Sequence, residues 1–276
     1  MVKIFKFVPH LIAFVVALLF VLPLFWLVVT SLRPVGAPPP VGLEWWPVDA
    51  QWSNYRTVFE QVPMGRYLGN SLLIVAVAVP LTVWTASMTG FALAQLPDDS
   101  RCAIVYASMG LLIVPAASIW IFRFQILSWL GLIDSLWALI VPSFAGTNPL
   151  YILLYYWTYR RIAPEMIDAA RLEGANALIA WWYIAMPLAR PTTAAVVVLS
   201  AVFYWSDFVS PVLYLYQSKW YTLPIGLQIL KQLDLTNWPL LMAGATIMTL
   251  PVVILFFALQ RAFLSDLSVA HLVERN

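Results

Sequence analysis

Long unbroken apolar runs alternate along this chain with short polar breaks. Runs long enough to cross a bilayer as helices fall near 11–29, 72–93, 102–122, 136–157, 192–208 and 240–259. A hydrocarbon core about 30 Å thick asks for about 20 apolar residues per helix, and each run is close to that. The pattern therefore predicts an all-α integral membrane protein of six transmembrane helices, with residues 1–276 forming one transmembrane domain. The first run reads as a retained anchor and not a signal peptide, because it is long and no small-residue cleavage site follows it.

The breaks carry the punctuation. Segment 31–67 is rich in Pro and holds Trp45, Trp46 and Trp52, which suit a membrane–water interface. Asn70 and Ser71 are expected to cap the helix that follows. The second run contains Pro80 and ends in a tight hairpin over Gln95–Arg101; the third carries Pro115, which frees backbone carbonyls inside the membrane. Residues 120–134, with Arg123, Gln125 and Asp134 among Ile and Leu, predict a helix lying flat at the interface. Gly146, Thr147, Asn148 and Pro149 interrupt the fourth run. A polar patch there should face a neighbouring helix or a cavity, so Asn148 either lines a path or glues helices together. At the end of the fifth run Asp207 follows Trp205, and an unpaired carboxylate at that depth must reach water or a partner. Trp205 is either a stacking surface for solute or an ordinary interface aromatic. Ala243, Gly244 and Ala245 in the last run would admit a closely packed helix.

Composition agrees with the runs. The chain has 276 residues, 62% of them hydrophobic and 10% charged, against about half and a quarter in soluble domains. Its mean hydropathy is +0.85. A net charge of +2 gives no footprint for nucleic acid. With six spans both termini share one side, and that side holds Lys3, Lys6, Arg101, Arg160, Arg161, Arg171, Arg190, Arg261 and Arg275. The opposite side holds Arg33, Arg56, Arg66, Arg123, Lys219 and Lys231. The bias of the short loops places both termini in the cytoplasm. Cys102 is alone, which excludes an intrachain disulfide, and no Cys/His cluster suggests a metal site.

A polar island stands at 163–187. Pro164 suits the first position of a helix, Glu165 and Asp168 place charge near its N-terminal end, and Gly174 is a natural stop. A second short helix over 177–185 runs to Pro187. The two alanines, Ala169 and Ala170, leave little bulk at the centre, so another protein's surface can close over them.

Asp168-Ala169-Ala170, Gly174 and Met186-Pro187 resemble the Glu-Ala-Ala loop of bacterial ABC importer permeases, with Asp in place of the usual Glu. Further stretches are similar to the maltose-type, carbohydrate-uptake members: Trp205-Ser206-Asp207-Phe208 with Pro211, Thr222-Leu223-Pro224-Ile225-Gly226, and Leu250-Pro251. Phe122-Arg123 stand where such permeases often have Pro-Leu, and the tail from 262 departs from the usual Gly-rich ending, leaving His271 and Glu274 without a role. The resemblance implies a type I ABC importer permease in the bacterial inner membrane, moving a sugar, oligosaccharide or polyol derivative by alternating access. It implies a second permease, two ATP-binding subunits and an extracytoplasmic solute-binding protein as partners, besides membrane lipid. ATP and Mg would sit on the ATP-binding subunits and no cofactor on this chain, which therefore is not itself an enzyme. Glu165, Asp168, Ala169, Ala170, Glu173 and Gly174 would form the cytoplasmic coupling helix; Asn148, Trp205 and Asp207 would line the substrate path.

Two other classes compete. A secondary transporter driven by an ion gradient wants midplane carboxylates in related halves, and Asp207 is the one acid near a span interior. An intramembrane enzyme wants converging acid, base or metal residues, yet His10 and His271 lie near the chain ends. The chain has no Gly-rich phosphate loop ending in Gly-Lys-Ser/Thr, so a nucleotide site of the usual kind is not its own.

Overall fold

The computed structural model describes residues 2–38, 42, 45–145 and 148–273, with side chains from His10 onward except at 145, 259 and 261–273. Gly146, Thr147 and Glu274, and the side chains of Arg261 and His271, thus lie outside the described residues. Among the described residues there is no strand. The helices are α1 (Val2–Ser31), α2 (Ser53–Gln61), α3 (Met64–Ala94), α4 (Asp98–Leu111), α5 (Ala116–Trp129), α6 (Trp137–Ile140) and α7 (Pro149–Tyr159). They continue with α8 (Pro164–Leu172), α9 (Ala177–Ala180), α10 (Met186–Leu188), α11 (Arg190–Ser206), α12 (Val209–Tyr214), α13 (Leu223–Leu233) and α14 (Trp238–Val273). The chain forms two compact units, Met1–Arg66 with Leu223–Pro251, and Tyr67–Thr222 with Val252–Asn276.

In the first unit α1 exposes its apolar side chains, from Leu11 through Phe25, as a helix meant for lipid or a neighbouring subunit does. Its C-terminal end is tied off by α2. The buried Asn54 amide donates to the carbonyls of Ser31 and Arg33, both at 2.8 Å, and the Gln51 N–H donates to Leu32 at 2.8 Å. The last carbonyls of a helix lack intrahelical donors, so these bonds supply what the helix end cannot. On α14 the small residues admit a closely packed helix, as the sequence suggests. A Cβ on Gly244 would stand 2.9 Å from Leu227 Cδ1 and 3.0 Å from Leu230 Cδ2, both on α13.

The second unit is built on a close crossing of α3 and α7. A Cβ on Gly90 would meet Tyr155 Cβ at 2.7 Å and the Ile152 carbonyl oxygen at 3.0 Å, so only glycine permits this approach. Phe91, Tyr151, Tyr155, Tyr159, Trp181 and Val196 pack around the crossing. Between α7 and α11 the contact is a seam of hydroxyls: Tyr155 donates to Thr193 Oγ1 at 3.0 Å, and Thr158 and Thr192 hydroxyls pair at 2.7 Å. Thr158 also donates to the Leu154 carbonyl in its own helix, at 2.9 Å.

Among the described residues, four helical stretches are long and apolar enough to cross a membrane: His10–Ser31, Met64–Ala94, Trp137–Tyr159 and Trp238–Ala258. The other two expected runs fall on bent pairs, α4 with α5 at 99° and Ala177–Leu188 with α11 at 84°. The run at 102–122 is therefore not one straight helix. Pro115 has no N–H to give and disfavours helical backbone at the residue before it, so α4 stops at Leu111 and α5 restarts at Ala116. The expectation for Asn70 is also corrected. α3 begins at Met64, so Asn70 lies inside it, and its amide donates to the carbonyls of Lys219 and Tyr221, both at 2.9 Å. It clasps a distant loop instead of capping its own helix.

Candidate functional site

The polar island folds as two short helices joined by a tight turn. α8 has Pro164 in its first turn, where the missing N–H costs nothing. Ile167 is the buried residue of the helix, at 4% exposure. Glu165, Asp168, Ala169, Glu173 and Gly174 are all exposed, and Ala170 is half-buried. The helix ends in a Schellman turn: the Ala175 N–H reaches the Ala170 carbonyl at 2.9 Å and the Gly174 N–H reaches Arg171 at 3.0 Å. That turn needs left-handed backbone, and Gly174 supplies it with φ +90°. α9 then starts from Asn176, whose Oδ1 accepts the Ile179 N–H at 2.9 Å. This cap is readable in the sequence as Asn before an apolar helix.

Arg171 connects the loop to its neighbour. One guanidinium nitrogen donates to Asp168 Oδ1 at 3.1 Å and another to Gln95 Oε1, at the end of α3, at 3.2 Å. Both members of the Asp168–Arg171 pair are more than half exposed, so water screens it and the carboxylate stays available to an incoming surface. Beside it lies a cleft of about 210 Å³, lined by Phe91, Gln95, Ile167, Arg171, Leu178 and Trp181 among others. The six residues expected at this loop thus share one exposed two-helix projection.

A larger cavity, about 360 Å³, opens where the α4–α5 corner faces α7 and the start of α12. Asn148 and Asp207 both line it. Asn148 is the N-cap of α7, its Oδ1 accepting the Leu150 N–H at 3.0 Å, so its amide nitrogen is free of that duty. Asp207 accepts the Ser210 N–H at 3.1 Å through Oδ1. Trp205 is not among the lining residues and is 5% exposed. Adjacent helical positions point about 100° apart, whereas positions three apart share a face. Hence Tyr204 and Asp207 reach the cavity together, and Trp205 packs away from it. Arg123, Tyr151, Tyr204 and Tyr214 also line the cavity, though no local pattern around Arg123, Tyr151 or Tyr214 points there. The i, i+3 spacing of Tyr204 and Asp207 was a signal that could have found Tyr204. Among the described residues no cluster of His, Cys, Asp or Glu could hold a metal ion.

Residues 67–269 match the family described as binding-protein-dependent transport system inner membrane component. The melibiose/raffinose/stachyose import permease protein MelC of Bacillus subtilis is 27% identical over 260 residues, 94% of this chain and 93% of that one. The arabinooligosaccharides transport system permease protein AraQ of Halalkalibacterium halodurans is 29% identical, over 92% of this chain and 91% of its own. In three dimensions the chain superposes on a chain of a bacterial ABC transporter involved in the import of alginate. The TM-score is 0.77 at 22% identity, covering 95% of this chain and 97% of that one, and the likeness shows the type I importer permease fold. The family match spans most of the chain. The chain belongs to the binding-protein-dependent transport system inner membrane components, as a multi-pass, non-catalytic permease subunit of an ATP-driven importer.

Proposed function

We propose that this permease moves a sugar or oligosaccharide inward by alternating access, driven by ATP hydrolysis on two partner subunits. The relatives named above import melibiose, raffinose and stachyose, or arabinooligosaccharides, which supports a carbohydrate solute. The remaining partners are a second permease and an extracytoplasmic solute-binding protein; ATP and Mg belong to the ATP-binding subunits. Both termini and the loop at 163–187 face the cytoplasm.

One observation carries the coupling part of this reading. In the α8–Gly174–α9 projection α8 ends in a Schellman turn and buries only Ile167, with Arg171 tied to Gln95, so its outer face is open to another protein. Glu165, Asp168, Ala169, Ala170, Glu173 and Gly174 form that docking face. Asn148 and Asp207 line the solute path, whose 360 Å³ falls within the range of about 300–1,000 Å³ usual for small-molecule sites. Trp205, inside the packing of α11, shapes the path from behind.

Charge reversal at the loop is the direct test. In the complete importer, Asp168→Lys should cut solute uptake at least tenfold while the permease pair still assembles, because the charge on the docking face is reversed and the Arg171 pair is lost. Uptake at the wild-type rate with the ATP-binding subunits attached would remove the loop from the coupling role.

A further inference from the structure

Arg123 is a charged side chain that neither the family resemblance nor the coupling loop accounts for. It stands on α5, just beyond the 99° corner that Pro115 imposes, and lines the 360 Å³ cavity. It is half-buried there, and among the described residues it has no ion-pair or hydrogen-bond partner. The cavity wall around it is otherwise apolar on the α4–α5 side, with Leu111, Leu112, Val114, Ile119 and Trp120. A guanidinium cannot shed its charge by losing a proton, so it must find water or an anion.

The carboxylate across the cavity does not meet that need. Asp207 is held by the Ser210 N–H at 3.1 Å and makes no ion pair with Arg123 among the described residues. Tyr214, fully buried, lies where its phenol feels both charges, but its hydroxyl is directed at the Trp120 carbonyl, 3.5 Å away. The cavity therefore presents one committed acid, one amide at Asn148 and one uncommitted planar cation.

We propose that Arg123 selects solutes carrying an acidic group, a sugar carboxylate or sulfonate, by pairing with it inside the cavity. This rests on the reading of the cavity as the solute path. The guanidinium fork matches a carboxylate or sulfonate with two parallel hydrogen bonds, which a neutral sugar hydroxyl cannot reproduce. The second oxygen of Asp207 is then left to accept from a hydroxyl of the same solute.

The complete importer, with its partner subunits, reconstituted in vesicles, is given labelled digalacturonate and sulfoquinovose, and separately their neutral counterparts galactobiose and glucose. Wild type should take up the acidic members. Arg123→Gln should lower the ratio of acidic to neutral uptake by on the order of tenfold or more, the scale of a lost hydrogen bond to a charged group, and Arg123→Lys should restore part of it. Uptake of neutral sugars alone by wild type would overturn the proposal and leave the sugar-importer reading standing. Uptake of none of the four would overturn both. An unchanged ratio in Arg123→Gln also overturns the proposal. So does loss of subunit assembly in that variant, since the cation would then be spent on a neighbouring subunit.

Discussion

Asp134 does work that its position in a short turn barely advertises. Its backbone sits at φ +60°, which Asp tolerates better than most residues. From there Oδ1 accepts the N–H groups of Tyr216 and Gln217, both at 2.8 Å, and Oδ2 takes the Gln217 amide. The Gln217 N–H in particular holds its carboxyl below the ordinary value, against a desolvation effect in the other direction, with help from Tyr216, the Gln217 amide and Lys219. A depressed carboxyl stabilises the fold at pH values above the unfolded pKa, and the contribution is lost as pH falls through the folded one. Asp134→Ala should therefore lower the melting temperature in detergent at neutral pH, by more than Asp134→Asn, which keeps an acceptor. The difference between wild type and Asp134→Ala should shrink below about pH 4. A constant difference across that range would mean the charge is not what holds the loop.

At the scale of elements, the close crossings set what can change. Gly90 faces backbone and a Cβ of α7, neither of which can swing aside. Gly90→Ala should cost about 1–3 kcal/mol as an overpacked crossing, read as a fall in melting temperature. Gly244 instead faces the flexible ends of Leu227 and Leu230, and the same substitution there should cost less. The apolar runs made the helices legible because their length alone decides the matter in a bilayer. The helix–turn–helix at 163–187 was legible too, since Pro164 and Gly174 act through local backbone rules. What sequence did not yield were the residues that act across distance. The Asn70 clasp spans about 150 positions to Lys219 and Tyr221, and no local rule contains it. Arg123 and Tyr214 reach one cavity only because the chain turns at Pro115. Trp205 sits beside the cavity-lining Tyr204 but is itself buried, and adjacency to a polar residue in the chain does not say which face of a helix a side chain takes.

For the whole molecule the orientation can be read by labelling. With Cys102, which is exposed, replaced by Ser, Ala50→Cys should react with a membrane-impermeant maleimide in intact cells. Asp168→Cys should react only once the membrane is opened. The opposite pattern would invert the topology and, with it, the side on which α8 meets its partner. An importer also has to let its helices move without stranding buried polar groups, and the α7–α11 contact is suited to that. Its two side-chain pairs, Tyr155 with Thr193 and Thr158 with Thr192, join hydroxyl to hydroxyl. Thr158 keeps its bond to the Leu154 carbonyl whether or not Thr192 is opposite, so parting the helices costs it one partner of two. Hydroxyls rotate to suit whichever neighbour arrives. Such a seam is a slip plane: it holds two helices in register at rest, and as they shift along it each hydroxyl can turn to the next one instead of being stranded.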